Sequence, residues 1–147
     1  MKHSEVSKIN DKVEKCINTK EFDKAIALVK PVIEHDKFNY PNAFMLQLLA
    51  EAKGNHTQVL KECDSLIETE EQQYFYYAVK GYAYNYLKEY DKALECYNKA
   101  IALDAEYVYA YNGKGTVYDD LKEYDKALEC YNKAIALDAE YVDAYYG

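Results

Sequence analysis

One segment of this chain occurs twice. Residues 87–108 read LKEYDKALECYNKAIALDAEYV, and the same 22 letters return at residues 121–142, which is 34 residues later. A fixed period of this length indicates stacked copies of one small unit rather than a single globular core. Such an array presents a long, regular surface, and that surface suits the binding of another molecule better than catalysis.

The 34-residue period extends over the whole sequence without an insertion. It divides the chain into four units and the beginning of a fifth, within what we predict to be one domain spanning residues 1–147. The predicted units are residues 6–39, 40–73, 74–107 and 108–141, followed by residues 142–147. The last two units are near copies, whereas the first two share only the hydrophobic pattern. Four units exceed the three or so that a repeat array needs for stability.

Each unit is predicted to form two helices joined by a turn. In the third unit, Tyr77, Gly81 and Tyr84 recur at helical spacing and therefore share one face. A second apolar stripe follows the turn around residues 88–90 and contains Ala93, Leu94, Tyr97, Ala100 and Ile101. Because helical segments alternate with short turns and no alternating strand pattern occurs, the sequence predicts an all-α fold.

The repeat unit resembles the tetratricopeptide repeat, a 34-residue helix–turn–helix with the pattern W-x2-L-G-x2-Y, then A-x3-F, then P. The third unit has Y-x2-K-G-x2-Y at residues 77–84 and A-x3-Y at residues 93–97. The fourth has the same letters at residues 111–118 and 127–131. Lysine stands where leucine is usual in both units, and alanine where proline is usual. The resemblance implies a right-handed α-solenoid of about four such repeats.

The charge composition argues against two classes of partner. The net charge is −8, and the chain contains 18 lysines and no arginine. Nucleic-acid-binding proteins usually carry a basic stripe and use arginine to bind phosphate and guanine, so we predict no nucleic-acid partner. The acidic balance also disfavours anionic membrane surfaces, and no apolar run approaches the roughly 20 residues of a membrane span. The N-terminal residues show no apolar segment of a signal peptide.

Neither a metal site nor a catalytic centre is predicted. The four cysteines are Cys16, Cys63, Cys96 and Cys130. They form no CxxC pair or Cys/His cluster, so we predict no metal site and expect reduced thiols in a cytoplasmic protein. The phosphate-binding patterns GxGxxG and GxxxxGK[ST] do not occur, and no cofactor is expected. We therefore predict that the chain is not an enzyme.

The family resemblance implies a concave groove lined by the first helix of each unit. Helical spacing then selects the side chains opposite the core stripe of these helices. The predicted partner-binding residues are Phe44, Leu48, Phe75, Tyr82, Asn85, Tyr86, Tyr109, Asn112, Thr116 and Asp119. The rings of Tyr82, Tyr86 and Tyr109 do not occupy packing positions of the repeat. They either contact a partner, since tyrosine is common at binding hot spots, or cover neighbouring helices.

The composition of this groove bears on its ligand. Some family members hold the terminal carboxylate of a partner with lysine, asparagine and arginine side chains on successive first helices. No alignment of the units supplies those lysines and the arginine here, so we expect no carboxylate clamp. A groove of Tyr, Asn and Asp fits an extended peptide with basic or polar groups better. The predicted function is protein–protein interaction, as an adaptor or scaffold that binds a peptide or a helix in the concave groove.

Two alternatives stay open at this stage. The sequence stops six residues into a fifth unit, without the polar cap that terminal repeats normally need. The uncapped C-terminal end would then bind another copy of the chain and form a homo-oligomer, as a self-assembling structural segment. The chain would otherwise be a regulatory domain cut from a larger protein, or a fragment of a longer array.

Overall fold

The structure is a computed structural model, and it describes residues 1–138. The helices are α1 (His3–Asn18), α2 (Phe22–Asp36), a 3-10 turn (Lys37–Asn39), α3 (Pro41–Glu51), α4 (His56–Thr69), α5 (Gln73–Tyr86), α6 (Tyr90–Leu103), α7 (Val108–Asp120) and α8 (Tyr124–Leu137). These residues contain helices and turns but no strand, so the prediction of an all-α fold is confirmed. The predicted opening of a fifth unit, at residues 142–147, lies outside the described residues.

The helices form two layers. Each helix packs on the next one in sequence, and the first helices of the pairs, α1, α3, α5 and α7, also pack on one another. The second helices, α2, α4, α6 and α8, make no comparable contact among themselves within residues 1–138. The first helices therefore form the inner layer of an α-solenoid, and the second helices form the outer layer.

A left-handed residue ends the first helix of every pair. Lys20, Gly54, Lys88 and Lys122 have φ values of 62, 84, 60 and 63°, and they are spaced 34 residues apart. In the last pair, the following amide of Glu123 donates to the carbonyl of Tyr118 at 2.9 Å, the bond of a Schellman helix end. The sequence repeat is thus also a repeat of backbone conformation in the first, third and fourth pairs. In the second pair the first helix ends one residue earlier, because Lys53 also has a positive φ of 53° and the amide of Gly54 donates to the carbonyl of Leu49 at 2.8 Å.

The ring of Tyr97 joins the last two pairs of helices. Tyr97 is buried and lies between Gly81 on α5 and Gly113 on α7. A Cβ atom at Gly81 would approach Cζ of Tyr97 to 2.6 Å, and one at Gly113 would approach its hydroxyl oxygen to 2.6 Å. The ring of Tyr97 thus fills the space that the absent side chains of the two glycines leave between these helices.

Candidate partner-binding groove

All ten predicted groove residues lie on the inner helices α3, α5 and α7, but at different depths. Tyr86 and Asp119 are exposed. The half-buried members are Leu48, Tyr82, Asn85, Tyr109 and Thr116, and the buried members are Phe44, Phe75 and Asn112. The inner face therefore consists of a partly accessible surface over a buried floor. Partner binding at these residues stays a prediction.

Helix α1 reaches across the groove to both α5 and α7. The Tyr86 hydroxyl, at the end of α5, is hydrogen-bonded to the Glu14 carboxylate. At the other end of α1, the ring centroid of His3 lies 6.2 Å from that of Tyr109 and 5.5 Å from that of Tyr40. The first helix thus forms a wall of the groove and narrows it.

Phe44 and Phe75 belong to an aromatic cluster below the groove surface. The ring centroid of Phe75 lies 5.3 Å from that of Phe44 and 5.0 Å from that of Phe38 in the 3-10 turn. The ammonium of Lys37 lies 5.0 Å from the Phe38 ring centroid and 5.4 Å from the Phe44 centroid, so a cation covers both rings. Because the 3-10 turn supplies Lys37 and Phe38, a partner would contact Phe44 and Phe75 only after this turn had moved.

Asn112 is buried with an unpaired side-chain amide. It is 1 % exposed, and neither its Oδ1 nor its Nδ2 has a hydrogen-bond partner in the described protein. On the same helix face, the Thr116 hydroxyl donates to the Asn112 backbone carbonyl at 3.0 Å, so this threonine satisfies the backbone but not the side chain. An unpaired polar group in a buried position costs about 1–3 kcal/mol. Packing alone therefore does not account for asparagine at this position.

The other end of the groove combines an amide with carboxylates. Asn85 Nδ2 donates to Asp120 Oδ2 at 3.1 Å and so joins α5 to α7, whereas Asn85 Oδ1 is buried without a partner. The carboxylates of Glu14 and Asp11 on α1 lie near the hydroxyl of Tyr86, at the same end of α5. This end of the groove is therefore negative, and it favours cationic groups on a ligand.

Partial burial affects the protonation of the Tyr86 hydroxyl and of the neighbouring His56 ring. It raises the pKa of Tyr86, and the charge and hydrogen bond of Glu14 raise it further, so the hydroxyl stays protonated and donates a hydrogen bond to the carboxylate. The His56 ring centroid lies 5.6 Å from that of Tyr86. Burial lowers the pKa of His56, against a backbone hydrogen bond with Gly54 that raises it, which favours the neutral imidazole.

A cavity of about 1020 Å³ opens at the amino-terminal edge of the groove. Its walls come from the first turns of α1, from the 3-10 turn and from residues 106–109. The Tyr107 hydroxyl is buried and has no hydrogen-bond partner, although the side chain lines this cavity. Burial raises the pKa of Tyr107 well above its usual range, so the phenol is neutral. The cavity thus combines aromatic rings with charged side chains of both signs, which are Lys2, Lys8, Glu106 and Asp138.

The cysteines show none of the features of a reactive site. All four thiols are free and buried. Burial raises the pKa of Cys63 to about 12 and that of Cys96 to about 11, so both stay protonated at neutral pH. Within residues 1–138, no three His, Cys, Asp or Glu side chains are grouped to bind a metal ion. Over the same residues, every helix is too short or too polar to cross a membrane.

Comparison with known proteins gives sequence matches to one family. A family model described as Tetratricopeptide repeat matches residues 108–141, and a second, described as TPR repeat, matches residues 81–121. A comparison with curated proteins returns no match.

The fold is also found among solved structures. A crystal structure of MamA is 27 % identical to this chain, with a TM-score of 0.58 over 90 % of this chain and 78 % of that one. The structure described as MamA RS-1 ArsTM double mutant is 22 % identical, with a TM-score of 0.53 over 90 % and 75 % of the two chains. A further MamA structure is 19 % identical, with a TM-score of 0.55 over 97 % and 78 %. The last two similarities concern the fold alone. From the sequence matches and the solenoid fold together, we conclude that residues 81–141 of this chain consist of tetratricopeptide repeats.

Proposed function

We propose that the chain is an adaptor or scaffold that holds a segment of a partner protein in the groove formed by α3, α5 and α7. Tetratricopeptide repeats generally mediate protein–protein interaction. The observation that carries the proposal is the mixed chemistry of the inner face, where aromatic rings stand beside unpaired amides and carboxylates. The four predicted units act as one domain over residues 1–147, without a catalytic step. The buried thiols suit a cytoplasmic location.

The accessible part of the groove supports a partner with cationic groups. Tyr86, at the surface of α5, is 37 % exposed and presents apolar area beside the Glu14 carboxylate. Asp119 and Asp120 add two exposed carboxylates at the end of α7. An aromatic ring next to carboxylates binds lysine and arginine side chains through both apolar contact and charge. We therefore propose a peptide that carries such residues.

The test compares two charge changes of equal size. Asp119→Lys alters the groove, and Glu129→Lys alters an exposed position on α8, outside the groove. Wild type and both variants serve as baits in the source lysate, captured proteins are identified by mass spectrometry, and each binding constant is measured with purified components. We expect the captured protein to bind wild type and Glu129→Lys equally, and to bind Asp119→Lys about tenfold more weakly. Equal binding by all three would place the interaction elsewhere.

A second candidate function is self-assembly through the last helix. Tyr124 and Leu128 on α8 are 57 % and 47 % exposed, whereas their repeat equivalents Tyr90 and Leu94 pack against the core. An apolar face that is covered in one unit and open in the next suits a second copy of the chain. Sedimentation over a range of concentrations tests this candidate. A monomer at every concentration would remove it, and association that Leu128→Lys abolishes would support it.

A further inference from the structure

We infer that the cavity at the amino-terminal edge of the groove binds a small zwitterion with a planar ring, of the kind that a free aromatic amino acid represents. The cavity lies beside the groove rather than along it, because Tyr109 alone among the ten predicted groove residues belongs to its described lining. The inference therefore goes beyond the proposed function. It concerns a second ligand, which is a small molecule and not a protein segment.

The size of the cavity and its aromatic rings suit a small planar ligand. Its volume of about 1020 Å³ lies at the upper end of the range of about 300–1,000 Å³ that is usual for small-molecule sites. The rings of Tyr40, Tyr107 and Tyr109 belong to its lining, and the ring centroids of Tyr107 and Tyr109 are 5.6 Å apart. Aromatic rings attract a further ring in edge-to-face or offset geometry, and they attract an ammonium over their faces. The cavity therefore favours a ligand with a ring close to its charged groups.

The charged side chains of the lining come from two parts of the chain, and each part has one sign. Lys2 and Lys8 belong to the first turns of α1, whereas Glu106 lies in the connection from α6 to α7 and Asp138 directly follows α8. Within residues 1–138, no ion pair joins the ammonium of Lys2 or Lys8 to the carboxylate of Glu106. The lysines oppose a simple cation in the cavity, and the carboxylates oppose a simple anion. A ligand that carries both charges complements both parts.

Tyr107 adds a polar group that packing does not satisfy. Its side chain is 8 % exposed and lines the cavity, and its hydroxyl has no hydrogen-bond partner in the described protein. The ring is held between Tyr74 and Tyr109, at centroid distances of 4.8 and 5.6 Å. Buried polar groups are nearly always paired, and a phenol hydroxyl both donates and accepts. A carboxylate or an ammonium of a bound ligand is a partner that this hydroxyl lacks.

The probes are aromatic amino acids and two analogues that each lack one charge. Phenylalanine and tryptophan carry both charges, phenethylamine lacks the carboxylate, and phenylpropionate lacks the ammonium. Binding to the full chain is measured by isothermal titration calorimetry and by saturation-transfer NMR. We expect at least one of the two amino acids to bind at millimolar concentration, and both analogues to bind about tenfold more weakly than phenylalanine, because each loses a charge-assisted hydrogen bond.

Two variants remove one charge from each part of the lining. Lys8→Gln is expected to weaken the binding of the amino acid about tenfold without weakening that of phenethylamine, which has no carboxylate for this lysine. Glu106→Gln is expected to weaken the amino acid to a similar extent without weakening phenylpropionate, which has no ammonium. Lys12→Gln, at an exposed position of α1 outside the lining, is the control and should leave all affinities unchanged.

Tyr107→Phe separates a role in binding from a role in folding. The substitution removes only an unpaired hydroxyl, so we expect weaker binding of the amino acid while the free energy of unfolding without ligand does not fall. Absence of binding by both amino acids would overturn the inference, and so would analogues that bind as tightly as phenylalanine. Unchanged affinity in Lys8→Gln and Glu106→Gln would place a bound amino acid outside this cavity and would overturn it as well. Each of these outcomes leaves the proposed binding of a partner protein unaffected.

Discussion

The aromatic ring of Tyr97 is held from two sides by backbone that belongs to different repeat units. Gly81 lies in the same unit as Tyr97, and Gly113 lies in the next one. Both glycines are in helices, where alanine would be intrinsically more stable by roughly 1 kcal/mol. The helix therefore gives up some stability at two positions so that one ring can fill the interface between units. Tyr131 contacts Gly115 in the same manner, which shows that the arrangement recurs with the repeat.

We predict that Gly113→Ala destabilises the protein. The added Cβ would lie 2.6 Å from the Tyr97 hydroxyl oxygen and still closer to the ring, and the ring is blocked on its other side by Gly81. Overpacking of this kind costs about 1–3 kcal/mol, so the free energy of unfolding in urea is expected to fall by about 2 kcal/mol. Tyr97→Leu should relieve the clash. The double variant must therefore lose less than the sum of the single variants, and strict additivity would contradict this account.

Sequence periodicity assigns a residue to a face of its helix, but it does not give the depth at which the side chain lies. Spacing placed Phe44 and Phe75 on the inner side of α3 and α5. Their burial follows from the 3-10 turn, whose Lys37 and Phe38 cover them and belong to no part of the repeat pattern. Lys80, in contrast, departs from the family pattern, which has leucine at this position. The structure accommodates this lysine through a 2.7 Å ion pair with Asp64 of α4, which the sequence pattern does not predict.

At the scale of elements, the turns of the first, third and fourth pairs share one backbone conformation, in which a lysine has the positive φ. The second turn has two residues with positive φ, Lys53 and Gly54. A left-handed conformation costs a residue with a Cβ about 1–2 kcal/mol, whereas glycine adopts it freely. The turns could be located from the sequence because the pattern breaks there. Their left-handed residue could not, since lysine is not a residue that signals this conformation.

We predict that Lys122→Gly stabilises the protein. The substitution removes the strain of a φ of 63° at an exposed position, and the greater entropy of glycine in the unfolded chain offsets part of the gain. The free energy of unfolding is expected to rise by about 0.5 kcal/mol in urea titration. Lys133→Gly, in the exposed interior of α8, provides the control and should lower it by about 1 kcal/mol. A loss of stability with Lys122→Gly would show that the lysine side chain makes a contribution larger than the strain.

On the scale of the whole molecule, stability in such an array is close to a sum of units and of the interfaces between neighbours. The last two described helix pairs allow the contribution of a neighbouring unit to be compared, because their sequences are almost the same. The repeat pattern assigns Tyr90 and Tyr124 to the same packing position, yet Tyr124 is 57 % exposed while Tyr90 packs against the core. Identical residues in the two units therefore differ in exposure, and the sequence of one unit does not predict how much of its surface a neighbouring unit covers.

The same contrast allows a matched test of the nearest-neighbour description. Leu94 and Leu128 sit in identical local sequences on α6 and α8, but Leu94 packs against the core and Leu128 is 47 % exposed. Fully burying a leucine side chain contributes about 1.5–3 kcal/mol, and Leu94 is half-buried, so it gains part of that amount. Leu94→Lys is therefore expected to lower the free energy of unfolding by about 1 kcal/mol, and Leu128→Lys by less than about 0.5 kcal/mol. Because helix propensity and sequence neighbours are the same in both variants, the difference between the two losses of unfolding free energy measures the contribution of the adjacent unit.

Equal losses of unfolding free energy would mean that Leu128 is covered in solution. A loss that depends on protein concentration at Leu128 alone would identify a second copy of the chain as the cover.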